Sequence, residues 1–190
     1  MHTAPSEQQQ TKSYDKQDNG TSSLLIGLAE IDTTPAVSIE LRGQYYQRIS
    51  DGIHSKLTAT VLAMESPDGE QAVMISLELV SFRAEFQEEL RGLLREELPD
   101  LDVSRVFINA THTHNAPGLN LSVVKPWFQE LRGIMTREEY RSFLLERVKE
   151  AVIAAWRGRK PGGIAHALGF ARVGHCRRAV YTDGTAEMYG

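Results

Sequence analysis

The chain has 190 residues, enough for one domain with a hydrophobic core of ordinary size. Its apolar fraction of 41% and charged fraction of 24% are those of a soluble globular protein, and a net charge of −4 without any long Lys/Arg cluster argues against a nucleic-acid partner. One cysteine, Cys176, excludes an intrachain disulfide and any zinc cluster built from cysteines, and no run reaches the roughly 18 apolar residues that span a bilayer.

Residues 1–22 are rich in Gln, Ser, Thr, Asp and Lys and read as a disordered lead-in, with residues 23–190 as the folded part. They lack the apolar core of a signal peptide, so a cytoplasmic location is the expectation. Residues 24–31 read as the first strand, ended by Asp32-Thr33-Thr34-Pro35. Residues 41–54 follow no clean period and form an irregular connection, the kind of segment that tends to carry function. Residues 56–65 and 71–79 form a hairpin around the turn Ser66-Pro67-Asp68-Gly69, with Leu57, Ala59, Val61 and Ala63 on one side.

A helix over about 82–98 carries the stripe Phe82, Phe86, Leu90, Leu93, Leu94, with Ser81 placed to cap it and Pro99 to close it. The central strand covers 105–110. A second helix over about 136–157 starts with a Thr136/Glu139 capping box and buries Tyr140, Phe143, Leu144, Val148, Ala151, Val152 and Ala155. Strands over 164–173 and 178–182 complete the order. These elements imply a layered α/β (α+β) arrangement, with helices covering a mixed sheet.

The central strand runs straight into Thr111-His112-Thr113-His114, then Asn115-Ala116-Pro117-Gly118. On an extended backbone, residues i and i+2 share a face, so His112 and His114 would point the same way. Two imidazoles at a strand end can begin a metal site or an acid/base site. Surface or hydrogen-bonded structural histidines are the commoner outcome for such a pair, and residue type alone leaves both readings open. His54 sits in the irregular segment. Arg42 and Arg48, which flank Tyr45-Tyr46, could grip a carboxylate or phosphate, although paired surface arginines are commoner. Arg177-Arg178 and His175 form a weaker group, and Cys176 reads as structural.

Four stretches together resemble the N-terminal part of the neutral, non-lysosomal ceramidase family. They are Gly27-Leu-Ala-Glu-Ile-Asp-Thr-Thr-Pro35, Arg42-Gly-Gln44 with Ser50-Asp-Gly-Ile-His54, Asn109-Ala-Thr-His-Thr-His-Asn-Ala-Pro-Gly118, and Gly174-His-Cys-Arg-Arg178 with its continuation to Gly184. The resemblance implies zinc-dependent amide hydrolysis of an N-acyl lipid or related amide. It also implies His54 and His112 as zinc ligands and His114 as a ligand or catalytic group beside the metal. The sequence departs from the family pattern at Asn115, Ala116, Leu119 and Cys176. The family's Glu and Tyr ligands and its serine would fall beyond Gly190, so a partial catalytic domain is expected. Alternatively, the chain is an inactive ceramidase-like fragment that binds a lipid or a partner chain. Sheet surface left uncovered would favour self-association.

Overall fold

The structure is a computed structural model and describes residues 23–44, 46–119, 133–171, 173–174 and 176–188; the lead-in expected over 1–22 lies outside the described residues. Strand β1, Leu25–Asp32, pairs antiparallel with β4, Thr58–Glu65, which pairs antiparallel with β5, Gln71–Leu77. The turn between β4 and β5 is where the Pro-Asp-Gly signal placed it. Gly69 has φ 89°, a left-handed value that suits glycine, and its N–H donates to the Ser66 carbonyl at 3.0 Å. Two short strands, β2 (Glu40–Leu41) and β3 (Arg48–Ile49), pair with each other inside the irregular connection.

Helix α1 spans Ala84–Glu97. Its N-cap is Arg83, which makes no side-chain capping bond, so Ser81 does not serve as the cap. The Phe82 ring stands 6.3 Å from that of Phe86, which is buried together with Leu90 and Leu94. After a single 3-10 turn at Val103–Arg105 comes β6, Val106–Ala110. Helix α2, Arg137–Arg157, begins with the complete capping box: Thr136 Oγ1 accepts from the Glu139 N–H and Glu139 accepts from the Thr136 N–H. Three short strands follow, β7 (Lys160–Pro161), β8 (Arg178–Val180) and β9 (Ala186–Met188).

The main sheet has the order β6-β5-β4-β1-β7 and is mixed, because β6 runs parallel to β5 while the other pairs are antiparallel. Both helices pack into one core with one face of this sheet. Ala59, Val61, Ala63, Val73, Ile75 and Leu77 point from the strands toward Tyr140, Leu144, Val148, Val152 and Trp156 of α2 and Phe86, Leu90 and Leu94 of α1. This is the layered α+β arrangement that the sequence implies.

Two expectations need correction. The histidine-bearing strand is not central: among the described residues β6 stands at an edge of the sheet and pairs with β5 alone. The crossover through α1 sets β6 on the side of β5 away from β4. Residues 164–171 form no strand, and Leu168 and Phe170 are fully exposed. Among the described residues no strand lies beside them, and an extended segment without a ladder gains little stability.

The sheet face turned away from the helices has no cover among the described residues. Leu28, Leu62, Met74 and Phe107 are successive cross-strand neighbours on it. Leu28 is 72% exposed, Met74 51% and Phe107 52%. One apolar row thus crosses four strands.

Candidate functional site

Strand β6 aims its loop over the end of β5. The Thr111 N–H donates to the Leu77 carbonyl and the His112 N–H to the Leu79 carbonyl, each at 2.9 Å. At His112 the backbone turns left-handed, with φ 65°, a region that histidine enters more readily than most residues. The strand therefore ends before the histidines, and strand alternation is not what brings them together. Even so the two rings are neighbours: the centroids of His112 and His114 lie 5.0 Å apart with the planes inclined at 67°.

His112 is the better fixed of the two. Its Nδ1 lies 2.9 Å from the Val80 carbonyl oxygen. A carbonyl only accepts, so Nδ1 carries the proton in this hydrogen bond and the Nε2 lone pair stays free for a proton or a metal. A backbone carbonyl on the remote nitrogen is the usual way to orient a metal-binding histidine.

The irregular connection clasps the other side of the loop. The Arg42 N–H donates to the Ala116 carbonyl at 2.9 Å, and Leu41 forms a bridge with Pro117. Arg48 Nη1 donates to Asn115 Oδ1 at 3.1 Å, and its Nη2 donates to the His114 carbonyl. Two glycines allow this approach. A Cβ on Gly43, where φ is 106°, would lie 2.4 Å from His114 Cγ; one on Gly118 would lie 2.1 Å from Arg42 Cγ. Arg48 thus holds a loop carbonyl and an amide oxygen of its own chain. Gly43, to which residue pattern gave no role, touches His114 directly. Its signals in the sequence are a glycine in an aperiodic segment and its place in the Arg42-Gly-Gln44 stretch.

Beside this loop opens a cleft of about 850 Å³, lined by His54, Ile53, Lys56, Glu78, Thr113 and Asn115 among others. Lys56 Nζ meets Asp32 Oδ2 at 2.8 Å, and the Thr34 N–H donates to Asp32 Oδ1 at 2.9 Å. The Lys56 ammonium, and after it Thr34, hold the Asp32 carboxyl well below the usual carboxylate range. Glu78 Oε2 accepts from the Thr58 N–H at 2.7 Å, so it braces β4 while facing the cleft.

The structure brings His112 and His114 together and places His54 on a cleft that Thr113 and Asn115 also line. Among the described residues no three His, Cys, Asp or Glu side chains gather as a set able to hold a metal. His112 fits one corner of a zinc site in donor type and in the nitrogen it leaves free; a closed set of four donors is not assembled among the described residues. His175 lies outside the described residues. Arg177 and Arg178 are exposed, and so is Cys176, which is not packed as a structural cysteine would be. No described helix is long and apolar enough to cross a membrane.

The described residues form a mixed-sheet α+β unit, and solved structures of known name share this fold. No family model matches the chain. It is 27% identical over 146 residues to neutral ceramidase 1 of Arabidopsis thaliana, across 75% of this chain and 18% of that protein. The crystal structure of neutral ceramidase from Pseudomonas aeruginosa superposes with a TM-score of 0.60 at 22% identity, over 74% of this chain and 22% of that one. A ceramidase complexed with C2 superposes with a TM-score of 0.57 at 19% identity, with the same shares covered. The chain therefore carries a ceramidase-like region and spans 18% to 22% of the length of these relatives.

Proposed function

We propose that this chain supplies the histidine-bearing part of a zinc-dependent amide hydrolase of the neutral ceramidase type, acting on an N-acyl lipid or a related amide. The observation that carries this reading is the pair of adjacent imidazoles, with His112 Nδ1 committed to Val80 and its Nε2 left free. In this reading His54 and His112 are metal ligands and His114 moves a proton. A bound zinc would supply a Lewis acid for the amide carbonyl. The chain's own contribution is to fix the tautomer of His112, to keep His114 beside it, and to offer the cleft beside Ile53 to the substrate. Zinc titration of metal-free protein tests this by calorimetry. The folded wild-type chain should take up one zinc. His112→Ala should weaken uptake by more than the roughly 10–100-fold that loss of a supporting hydrogen bond costs. Equal binding by both proteins would sink the assignment.

The uncovered row Leu28–Leu62–Met74–Phe107 favours a second reading, in which the chain acts by association. Two such sheet faces can stack about 10 Å apart with their side chains interleaved, so a second copy is a fitting partner. Light scattering should then give a mass above that of one chain, returning to the monomer for the double variant Met74→Lys, Phe107→Lys. A monomeric wild type at high concentration would rule this reading out.

A further inference from the structure

We propose that Arg48 is the positioning residue for His114, a role that deepens the metal-site reading and can be tested apart from it. Arg48 lies on β3, in the segment that also supplies Arg42 and Gly43 to the loop. Its two terminal nitrogens grip two consecutive residues: Nη1 the side-chain oxygen of Asn115, Nη2 the carbonyl of His114 itself. A planar fork that holds two oxygens fixes both the position and the orientation of the peptide between them, which a lysine ammonium cannot do. With that peptide fixed, the His114 imidazole is pressed onto the backbone of Gly43, where even a methyl group would overlap it. Its position 5.0 Å from His112 then follows from the clasp.

The two histidines are thus set by separate devices. His112 is held from the segment just after β5, by the Leu79 and Val80 carbonyls. His114 is held from the irregular connection, by Arg48 and Gly43. Loss of Arg48 should therefore release one ring and leave the other, an asymmetry that general unfolding would not produce. Asn115 takes part as the second anchor of the fork; a serine there would be too short to offer a carbonyl-like acceptor at the same reach.

The test uses the full chain in metal-free form, comparing wild type with Arg48→Met, which keeps the apolar stem and removes every donor. In wild type, NMR should show a nuclear Overhauser contact between the Gly43 α-protons and the His114 β-protons. In Arg48→Met this contact should vanish while the His112 amide resonance stays in place; Asn115→Leu should weaken it, and Arg48→Lys should restore it only in part. Persistence of the Gly43–His114 contact in Arg48→Met would overturn the proposal. So would simultaneous loss of the His112 amide resonance, since Arg48 would then be a general fold residue. Zinc titration of the same variant separates the two readings. Zinc uptake close to that of wild type is expected if the site holds metal, because His54 and His112 do not depend on the clasp. A lost contact in a protein that binds no zinc in either form would leave Arg48 as the positioning residue and remove the metal reading.

Discussion

Gly27→Ala should destabilise the fold by about 3 kcal/mol, the upper end of what overpacking a core costs. Gly27 lies in β1 where α2 crosses the sheet. A Cβ built there falls 1.9 Å from the Ala155 carbonyl oxygen and 2.9 Å from its carbon. The obstacle is helix backbone, which cannot rotate away as a flexible side chain would. The whole of α2 must lift from β1, and contacts of Val148, Val152 and Trp156 with the sheet loosen together. Gly92 is the control. It lies inside α1 with nothing near its would-be Cβ, so Gly92→Ala should stabilise by about 1 kcal/mol through helix propensity alone. Urea unfolding followed by circular dichroism reads both. If Gly27→Ala is as harmless as Gly92→Ala, α2 does not sit on β1 as closely as described.

Trp156→Ala should have an effect as large or larger, about 3–5 kcal/mol. The side chain is buried, and its Nε1 donates to Asp100 Oδ2 at 2.9 Å. The Arg159 guanidinium lies 3.2 Å from the ring centroid. Arg159 also reaches Glu65 at 3.0 Å, so the indole joins the end of α2, the end of β4 and the loop after α1. Trp156→Phe keeps most of the apolar volume but drops the hydrogen bond, and its cost should fall well below that of the alanine variant. A midpoint in urea unmoved by Trp156→Ala would contradict this placement.

These positions also indicate what residue pattern can carry. The capping box at Thr136/Glu139, the turn at Gly69 and the inward alternation of Ala59, Val61 and Ala63 are local, each set by a few consecutive residues, and all are found as read. Ser81 is a good capping residue by type, but the N-cap falls at Arg83, whose side chain makes no capping bond. The apolar run over 164–173 has strand composition, but a strand exists only where a partner lies alongside, and composition does not report partners. The candidate site divides in the same way. The histidine pair and His54 are visible as residue types, and Arg42 and Arg48 as cations in an aperiodic segment. Their roles depend on the left-handed turn at His112 and the approach of Gly43 to His114, which are matters of tertiary geometry.

The clasp on the histidine loop has a consequence for the order of folding. Its partners are far apart in the chain: Arg48 meets His114 and Asn115 across 66 and 67 residues. The β4–β5 hairpin and the two helices close over short stretches, and each closure brings immediate hydrogen bonds. Loop-closure entropy grows with separation, so the long-range contacts become favourable only after nearer ones have shortened the effective loop. Joining Arg48 to the loop requires β6 to be docked on β5 and β3 to be folded back first. The sheet can therefore form with His112 in place and His114 present but not yet aimed.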